Sequence, residues 1–394
     1  MEASMWAYPW DLEDCGMGRA LDEMQESGLT GVSMITSYHA GRFLCVRSPK
    51  RKVYYPEDGT IYYPTDMSRF KGLRIQPRIS RFSSEHPDFW DRLLTEEDKR
   101  RMTVSGWTVC LHNTRIGTTW PDVCVRNAFG DPACYNPCPS HPDMRAYMVA
   151  LMDDLCSHLP LHALELESMN FMGFAHEFHH EKDGIGLTAL GDFLLSLCFC
   201  PSCVERARRE GVDILPAARR VKGWLEQMCE GMLRLGTDEE FLRGGIAFFD
   251  GYPEVQAYLR WRPGVITSLM REVHAATGGR TRLYFLSLLP HSRSWLFGVD
   301  LREITRCCEG VVVCSYDCDG RQAEADLRES RRDFAPGAQL MMGVRCFTPE
   351  YADGAALRRK LLVAKRQKAD GLRLYNYGLI PRERMRWIRA ALEE

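Results

Sequence analysis

Three cysteines stand within six residues, Cys198-Phe199-Cys200-Pro201-Ser202-Cys203, and Pro201 and Ser202 turn the backbone between the last two. Thiolates this close can converge on one tetrahedral Zn2+, which then needs a single further ligand from elsewhere in the chain. Two upstream donors qualify, Cys134 and Cys138, in the run Ala133-Cys134-Tyr135-Asn136-Pro137-Cys138-Pro139-Ser140. The competing reading, small buried residues at a helix end, accounts for buried cysteine but not for the Pro-Ser knuckle. Four protein ligands would leave no position for water, so the expected metal is structural rather than catalytic.

A second set of residues could do acid–base work. In Ala163-Leu164-Glu165-Leu166-Glu167, strand alternation sends both glutamates to one side and both leucines to the other. A buried carboxylate is costly unless paired or functional, and Arg282, Arg345 and Arg373 occupy strand positions from which they could pair with one. Glu167, at the strand end, is the leading catalytic candidate, and Asp317, after Gly310–Tyr316, is its partner, with Asp319 reading as the cap of the next helix. Two such carboxyls can split a glycosidic bond, one protonating the leaving oxygen while the other attacks the sugar or activates water. Apolar Met169, Phe171 and Met172 beside Glu167 would desolvate it and raise its pKa, which suits the acid.

Histidines gather nearby. His176, His179 and His180 follow Glu167 in Phe174-Ala175-His176-Glu177-Phe178-His179-His180-Glu181. His176-Glu177-x-x-His180 formally matches a zinc-protease motif, but it follows a Met/Phe/Gly loop rather than a helix long enough to present it. Hydrogen bonding to a ligand is the first reading, with a metal site and a solvated loop as equal alternatives. Further strand-end residues suit a polyhydroxylated ligand: Trp10 (with Asp11), Tyr38, His39, His112, Asn113, His291, Arg345, Tyr375 and Asn376. Each alone is ordinary loop chemistry; together they exceed what helix capping requires.

These groups need elements to position them. Strand-length apolar runs recur at Met5–Trp10, Gly31–Ser37, Trp107–Leu111, Ala163–Glu167, Arg282–Leu288, Gly310–Tyr316, Gln339–Val344 and Gly371–Tyr375. Helical patterns alternate with them: Gly16–Ser27, Asp88–Met102, Pro142–His158, Pro253–Thr277, Ser294–Cys308, Arg321–Asp333, Pro349–Lys368 and Pro381–Leu392. Eight strands and eight helices predict a single (β/α)8 TIM barrel over residues 1–394. An open doubly wound sheet would want a glycine-rich first turn, which is missing. Two excursions interrupt the pattern, a β-hairpin type at 38–87 after the second strand and a helical segment with the cysteine cluster at 168–252 after the fourth. Both would lie on the C-terminal face, where barrel active sites are built.

Composition narrows the partners. Lys plus Arg number 51 against 53 Asp plus Glu, a net charge of −2 that offers nucleic acid or an anionic membrane no electrostatic footing. The first residues, Met1–Asp14, lack a basic segment followed by an apolar run, and the 16 cysteines are scattered, which together predict a cytoplasmic protein with reduced thiols. A homo-oligomer is compatible with this composition.

The pairing of Cys138-Pro139-Ser140-His141-Pro142-Asp143-Met144-Arg145-Ala146-Tyr147 with the later Cys198-x-Cys200-x-x-Cys203 resembles the barrel domain of family-42 glycoside hydrolases, the β-galactosidases. The resemblance covers roughly residues 130–210 and implies a structural zinc on Cys138, Cys198, Cys200 and Cys203, with Cys134 less favoured. It fails at the family's catalytic pair: no Asn-Glu dipeptide closes the fourth strand, and Arg345-Cys346 stand where the nucleophilic Glu is placed. The expectation is a glycosidase-like hydrolase of carbohydrate metabolism acting on a small carbohydrate or glycoside. The alternatives are a metal-dependent sugar isomerase or epimerase, and a non-catalytic carbohydrate-binding barrel.

Overall fold

The computed structural model describes residues 1–176, 181–316, 319–348 and 350–393. Eight parallel strands close on themselves: β1 (Glu2–Ala7), β2 (Gly31–Tyr38), β3 (Thr103–Val109), β4 (Ala163–Glu167), β5 (Arg282–Ser287), β6 (Gly310–Cys314), β7 (Gln339–Arg345) and β8 (Gly371–Tyr375). Each pairs with its neighbours in chain order, and β1 pairs with both β2 and β8, so no edge is left open. The fold is a (β/α)8 barrel. Strands such as β6, Gly-Val-Val-Val-Cys, are buried throughout because helices cover one face and the barrel lumen the other.

The helical layer includes α1 (Met17–Glu26), α2 (Phe89–Arg100), α3 (Pro142–His158), α4 (Pro253–Thr277), α5 (Gly320–Asp333), α6 (Gly354–Arg366) and α7 (Arg382–Leu392). Their starts follow from local chemistry. Pro142 and Pro253 open α3 and α4, where a missing N–H costs nothing. Asp319 caps α5 by accepting from the Gln322 amide at 2.8 Å, as its spacing predicts. The single helix expected over Ser294–Cys308 is instead three short pieces, His291–Ser294, Trp295–Phe297 and Leu301–Ile304. Gly298 at φ +66° breaks the run, and Asp300 starts the last piece as its cap.

The first strand is also displaced from its expected place. Pro9 cannot donate to a sheet ladder but suits the first turn of a helix, so the chain leaves β1 after Ala7 and forms a helix over Pro9–Cys15. β3 starts at Thr103, four residues before its expected beginning, and so carries Trp107 within the strand. Inside the lumen, Trp6 fills the layer beneath the mouth. Gly343 on β7 makes room for it: a Cβ there would lie 3.1 Å from Cys314 Sγ and 3.4 Å from the Trp6 ring.

Between β2 and β3, Phe43–Leu44 and Val53–Tyr54 form a small antiparallel hairpin, and Thr60–Ile61 pairs antiparallel with the end of β2. Between β4 and α4 lie helices over Ala189–Ser196, Pro201–Arg209, Leu215–Cys229 and Asp238–Gly244. A second antiparallel pair, Cys124–Arg126 with Pro132–Pro137, follows β3; its short, irregular register left no alternation to read. Among the described residues, no helix is long and apolar enough to cross a membrane.

Candidate functional site

The two glutamates of β4 have different surroundings. Glu165 is fully enclosed: Arg373 of β8 donates to it through Nε, and Trp6 Nε1 donates at 2.7 Å. Arg373 also meets Glu2 at 2.8 Å, so one buried guanidinium ties β4, β8 and β1 together. Glu165 is therefore the structural ion-pair member, with Arg373 as its counter-charge.

Glu167 lies one layer higher and is partly exposed. Trp107 Nε1 of β3 donates to its Oε2 at 2.5 Å. Burial pushes its carboxyl up to about 7, against the opposing pull of that tryptophan bond. Tyr38, Tyr316 and Tyr375 stand close enough to feel its charge. Among the described residues, no second carboxylate contributes to the shift.

The wall around Glu167 is aromatic. Trp107 packs edge-on against Tyr38 at 5.4 Å and Tyr375 at 5.7 Å, and tilted against Tyr8 at 5.5 Å. Tyr8 OH bonds Tyr38 OH at 2.8 Å and Tyr375 OH at 2.7 Å. Beside them runs a row of imidazoles: His39 stacks on Tyr38 at 4.2 Å and on His112 at 4.0 Å, and His176 meets His112 edge-on at 4.5 Å. Burial holds His112 down at about 2, with His39 and His176 pushing the same way, and His39 at about 4 against the opposing pull of its bond to Ala40, so both are neutral at ordinary pH. His39 Nδ1 lies 2.6 Å from the Ala40 carbonyl and donates to it, leaving Nε2 as the acceptor.

The structure thus brings Glu167, Tyr38, His39, His112, His176 and Tyr375 into one region at the C-terminal end of the barrel. Arg345, the last residue of β7, pairs with Glu350 at 2.5 Å and lies over the Tyr316 and Phe347 rings. Four expected site residues sit elsewhere or serve the backbone. Trp10 is enclosed between Tyr8, stacked at 4.6 Å, and Tyr54 at 4.4 Å, where it anchors the hairpin. Asn113 accepts from the Ile116 amide at 2.9 Å and starts a helix. Asn376 is buried and accepts from the Gly378 amide at 3.0 Å. His291 faces Asp333, at the end of α5, at 3.3 Å. Asp317, His179 and His180 lie outside the described residues.

Strand periodicity alone does not single out Trp107 or Tyr8, yet a signal exists. Ser4-Met5-Trp6 and Ser105-Gly106-Trp107 share one pattern, a small residue below and a tryptophan one layer above, on two inward faces of the barrel. Tyr316 carries no comparable mark.

The four expected cysteines also come together. Cys138, Cys198, Cys200 and Cys203 are all buried, their sulfurs within 4.8 Å of one another. Cys138 Sγ lies 3.8 Å from Cys198, 3.6 Å from Cys200 and 3.5 Å from Cys203. Four ligands at roughly 2.3 Å from a tetrahedral Zn2+ sit about 3.8 Å apart, so the donor set and its spacing fit the ion. The Arg126 and Ser140 amides approach Cys198 and Cys138 at 3.5 and 3.4 Å, the outer shell that stabilises thiolates. Cys134 is not part of the cluster. Among the described residues, these four thiols are the one group of His, Cys, Asp or Glu that could hold a metal ion.

No protein-family model and no curated protein sequence matches the chain. Solved structures share its fold. The glycoside hydrolase domain of PgaB (BpsB) from Bordetella bronchiseptica is 11% identical at a TM-score of 0.59, the match covering 95% of this chain and 94% of that one. The catalytic domain of a β-amylase from Paenibacillus polymyxa is 10% identical at 0.57, covering 97% and 94%. A β-galactosidase from Marinomonas ef1 is 9% identical at 0.55, covering all of this chain and 59% of that one. At such identities the likeness is one of fold.

Proposed function

We propose that the chain is a glycosidase-like hydrolase that cleaves a glycosidic bond in a carbohydrate, with Glu167 as the proton donor to the leaving oxygen. The observation that carries this reading is one carboxyl, delivered by β4 to the aromatic mouth and held near neutrality by burial, so that it retains its proton where a general acid must. Tyr38 and Tyr375 supply ring faces and hydroxyls suited to a sugar, neutral His39 and His112 add donors and acceptors, and His176 stands beside them. Asp317 is proposed as the second carboxyl. The fold shared with the PgaB domain and the β-amylase supports the class.

The direct test is turnover of an aryl-glycoside panel. Glu167→Gln should lose roughly 100- to 10,000-fold in kcat with its fold intact, and full activity in this variant on a confirmed substrate would remove the assignment. A carbohydrate-binding barrel without turnover is the second reading, favoured by the lack of any second carboxylate acting on Glu167 among the described residues; sugar binding by wild type with no hydrolysis across the panel would select it.

The four-cysteine cluster is proposed as a structural Zn2+ site, since four thiolates leave no coordination position for water or substrate. Its fifteen described cysteines are all unpaired, which supports placing the protein in a reducing cytoplasm.

A further inference from the structure

The four sulfurs of the cysteine cluster each meet a neutral hydrogen-bonding partner. The amides of Ser140, Arg126 and Cys203 approach Cys138, Cys198 and Cys200 at 3.4, 3.5 and 3.4 Å, and Ser140 Oγ lies 3.3 Å from Cys203 Sγ. These dipoles leave the total charge untouched. Four thiolates around one Zn2+ carry two net negative charges, and all four side chains are buried. Charge held in the interior is costly without a counter-charge nearby.

Three guanidiniums bear on this region, and two are already neutralised. Arg145 of α3 donates to the Pro139 carbonyl beside Cys138 and pairs with Glu272 at 2.6 Å. Arg206, three residues beyond Cys203 on the same helix, pairs with Glu210 at 3.1 Å. Arg262 of α4 is different. It is 1% exposed, its Nη1 donates to the Leu296 carbonyl at 2.8 Å, and its Nε and Nη2 have no partner among the described residues. The guanidinium lies over the Phe171 ring at 4.6 Å. Gly298 leaves the space for it, since a Cβ there would lie 3.0 Å from Arg262 Cγ.

The helix sets this cation on the side of the cluster. Tyr258 stands one turn before Arg262 on the same face of α4, and helical side chains lean toward the N-terminal end, over that preceding turn. Tyr258 OH donates to the Cys198 carbonyl at 2.9 Å and accepts from the Cys198 amide at 3.0 Å. Burial opposes the charge of Arg262; the groups that favour it are Tyr258, Cys198, Cys203 and Cys138, with no carboxylate among them.

We propose that Arg262 is the counter-charge of the zinc site, a positioning residue that offsets part of the buried negative charge and sets how firmly the four thiolates hold the ion. This role rests on the Zn2+ reading of the cluster and is independent of Glu167 and of any glycoside. It gives Arg262 opposite effects in the two metal states. With zinc bound, its charge is balanced by the cluster; without zinc, protonated thiols are neutral and the same guanidinium is an uncompensated buried cation.

The test uses full-length protein. Zinc affinity is read by competition with a chromophoric chelator, and melting temperature is read for zinc-loaded and zinc-free forms. Arg262→Gln and Arg262→Met should weaken zinc binding roughly 10- to 100-fold, while Arg262→Lys, which restores the charge, should recover most of it. Both neutral variants should melt below wild type when loaded and above it when zinc-free. A residue that only fills space would lower both. Unchanged zinc affinity in folded Arg262→Gln would overturn the assignment, as would Arg262→Lys binding no better than Arg262→Gln, or an equal loss of melting temperature in both forms. Wild type that takes up no zinc would sink the site itself, and the role of Arg262 with it.

Discussion

Glu167 and Glu165 are two residues apart on one strand face, yet they differ in what surrounds them. Glu165 has a guanidinium and an indole; Glu167 has an indole and a ring of phenols. The raised carboxyl of Glu167 gives stability a pH dependence of known sign. Because its folded value of about 7 exceeds the ordinary 4.5, the folded state holds a proton that the unfolded state releases between those values. Stability from this group is complete below about pH 4.5 and is lost as pH rises through about 7, a loss on the order of 1–3 kcal/mol once partial exposure is allowed for. Glu167→Gln should therefore raise the melting temperature at pH 8 and leave it nearly unchanged at pH 4.5. Melts at the two pH values decide it; a variant less stable at pH 8 would mean that the carboxylate is a structural partner. Glu165, by contrast, is a structural partner. Glu165→Gln takes away one of the two carboxylates of buried Arg373, leaving it only Glu2, and should cost up to about 3–5 kcal/mol in urea unfolding, while a Glu165→Leu, Arg373→Met double variant should recover much of it.

At the scale of elements, the cysteine cluster joins the turn before α3 to the helix over Pro201–Arg209. Two segments 60 residues apart are held by four sulfurs around a common centre, so removing one ligand should release both. Cys200→Ser should lower bound zinc from about one ion per chain and lower the melting temperature by roughly 5 °C, read by elemental analysis and calorimetry. Wild-type protein free of zinc after purification without chelators would refute the site. The spacing C-x-C-x-x-C made three of these ligands readable, because they are local. Spacing alone left Cys134 and Cys138 both open as the fourth ligand, the family-42 resemblance favoured Cys138, and the structure groups Cys138, not Cys134, with the other three, its Sγ 3.5 Å from that of Cys203.

For the whole molecule, fifteen described cysteines, all unpaired, predict that no disulfide contributes to stability. Denaturation in chelator without reductant should expose 16 titratable thiols; a count near half that would overturn the reducing-compartment reading. The (β/α)8 fold was legible in the amino-acid order because its cause is local: apolar strand runs alternate with amphipathic helices, and β8, α3 and α4 begin and end where periodicity and Pro or Gly punctuation place them. Glu165 and Glu167 were likewise assigned to one face by alternation alone. Which of the two is spent on structure was not legible, since the deciding partner, Arg373, lies 208 residues away and reaches Glu165 only when the barrel closes. The same holds for the mouth. Tyr38, Trp107 and Tyr375 come from β2, β3 and β8, Tyr8 directly follows β1, and His39 meets His112 across two strand ends. Sequence by itself determined which elements form and which side chains face inward; tertiary closure decided which of those side chains meet, because contacts between separate strands have no local sequence signal.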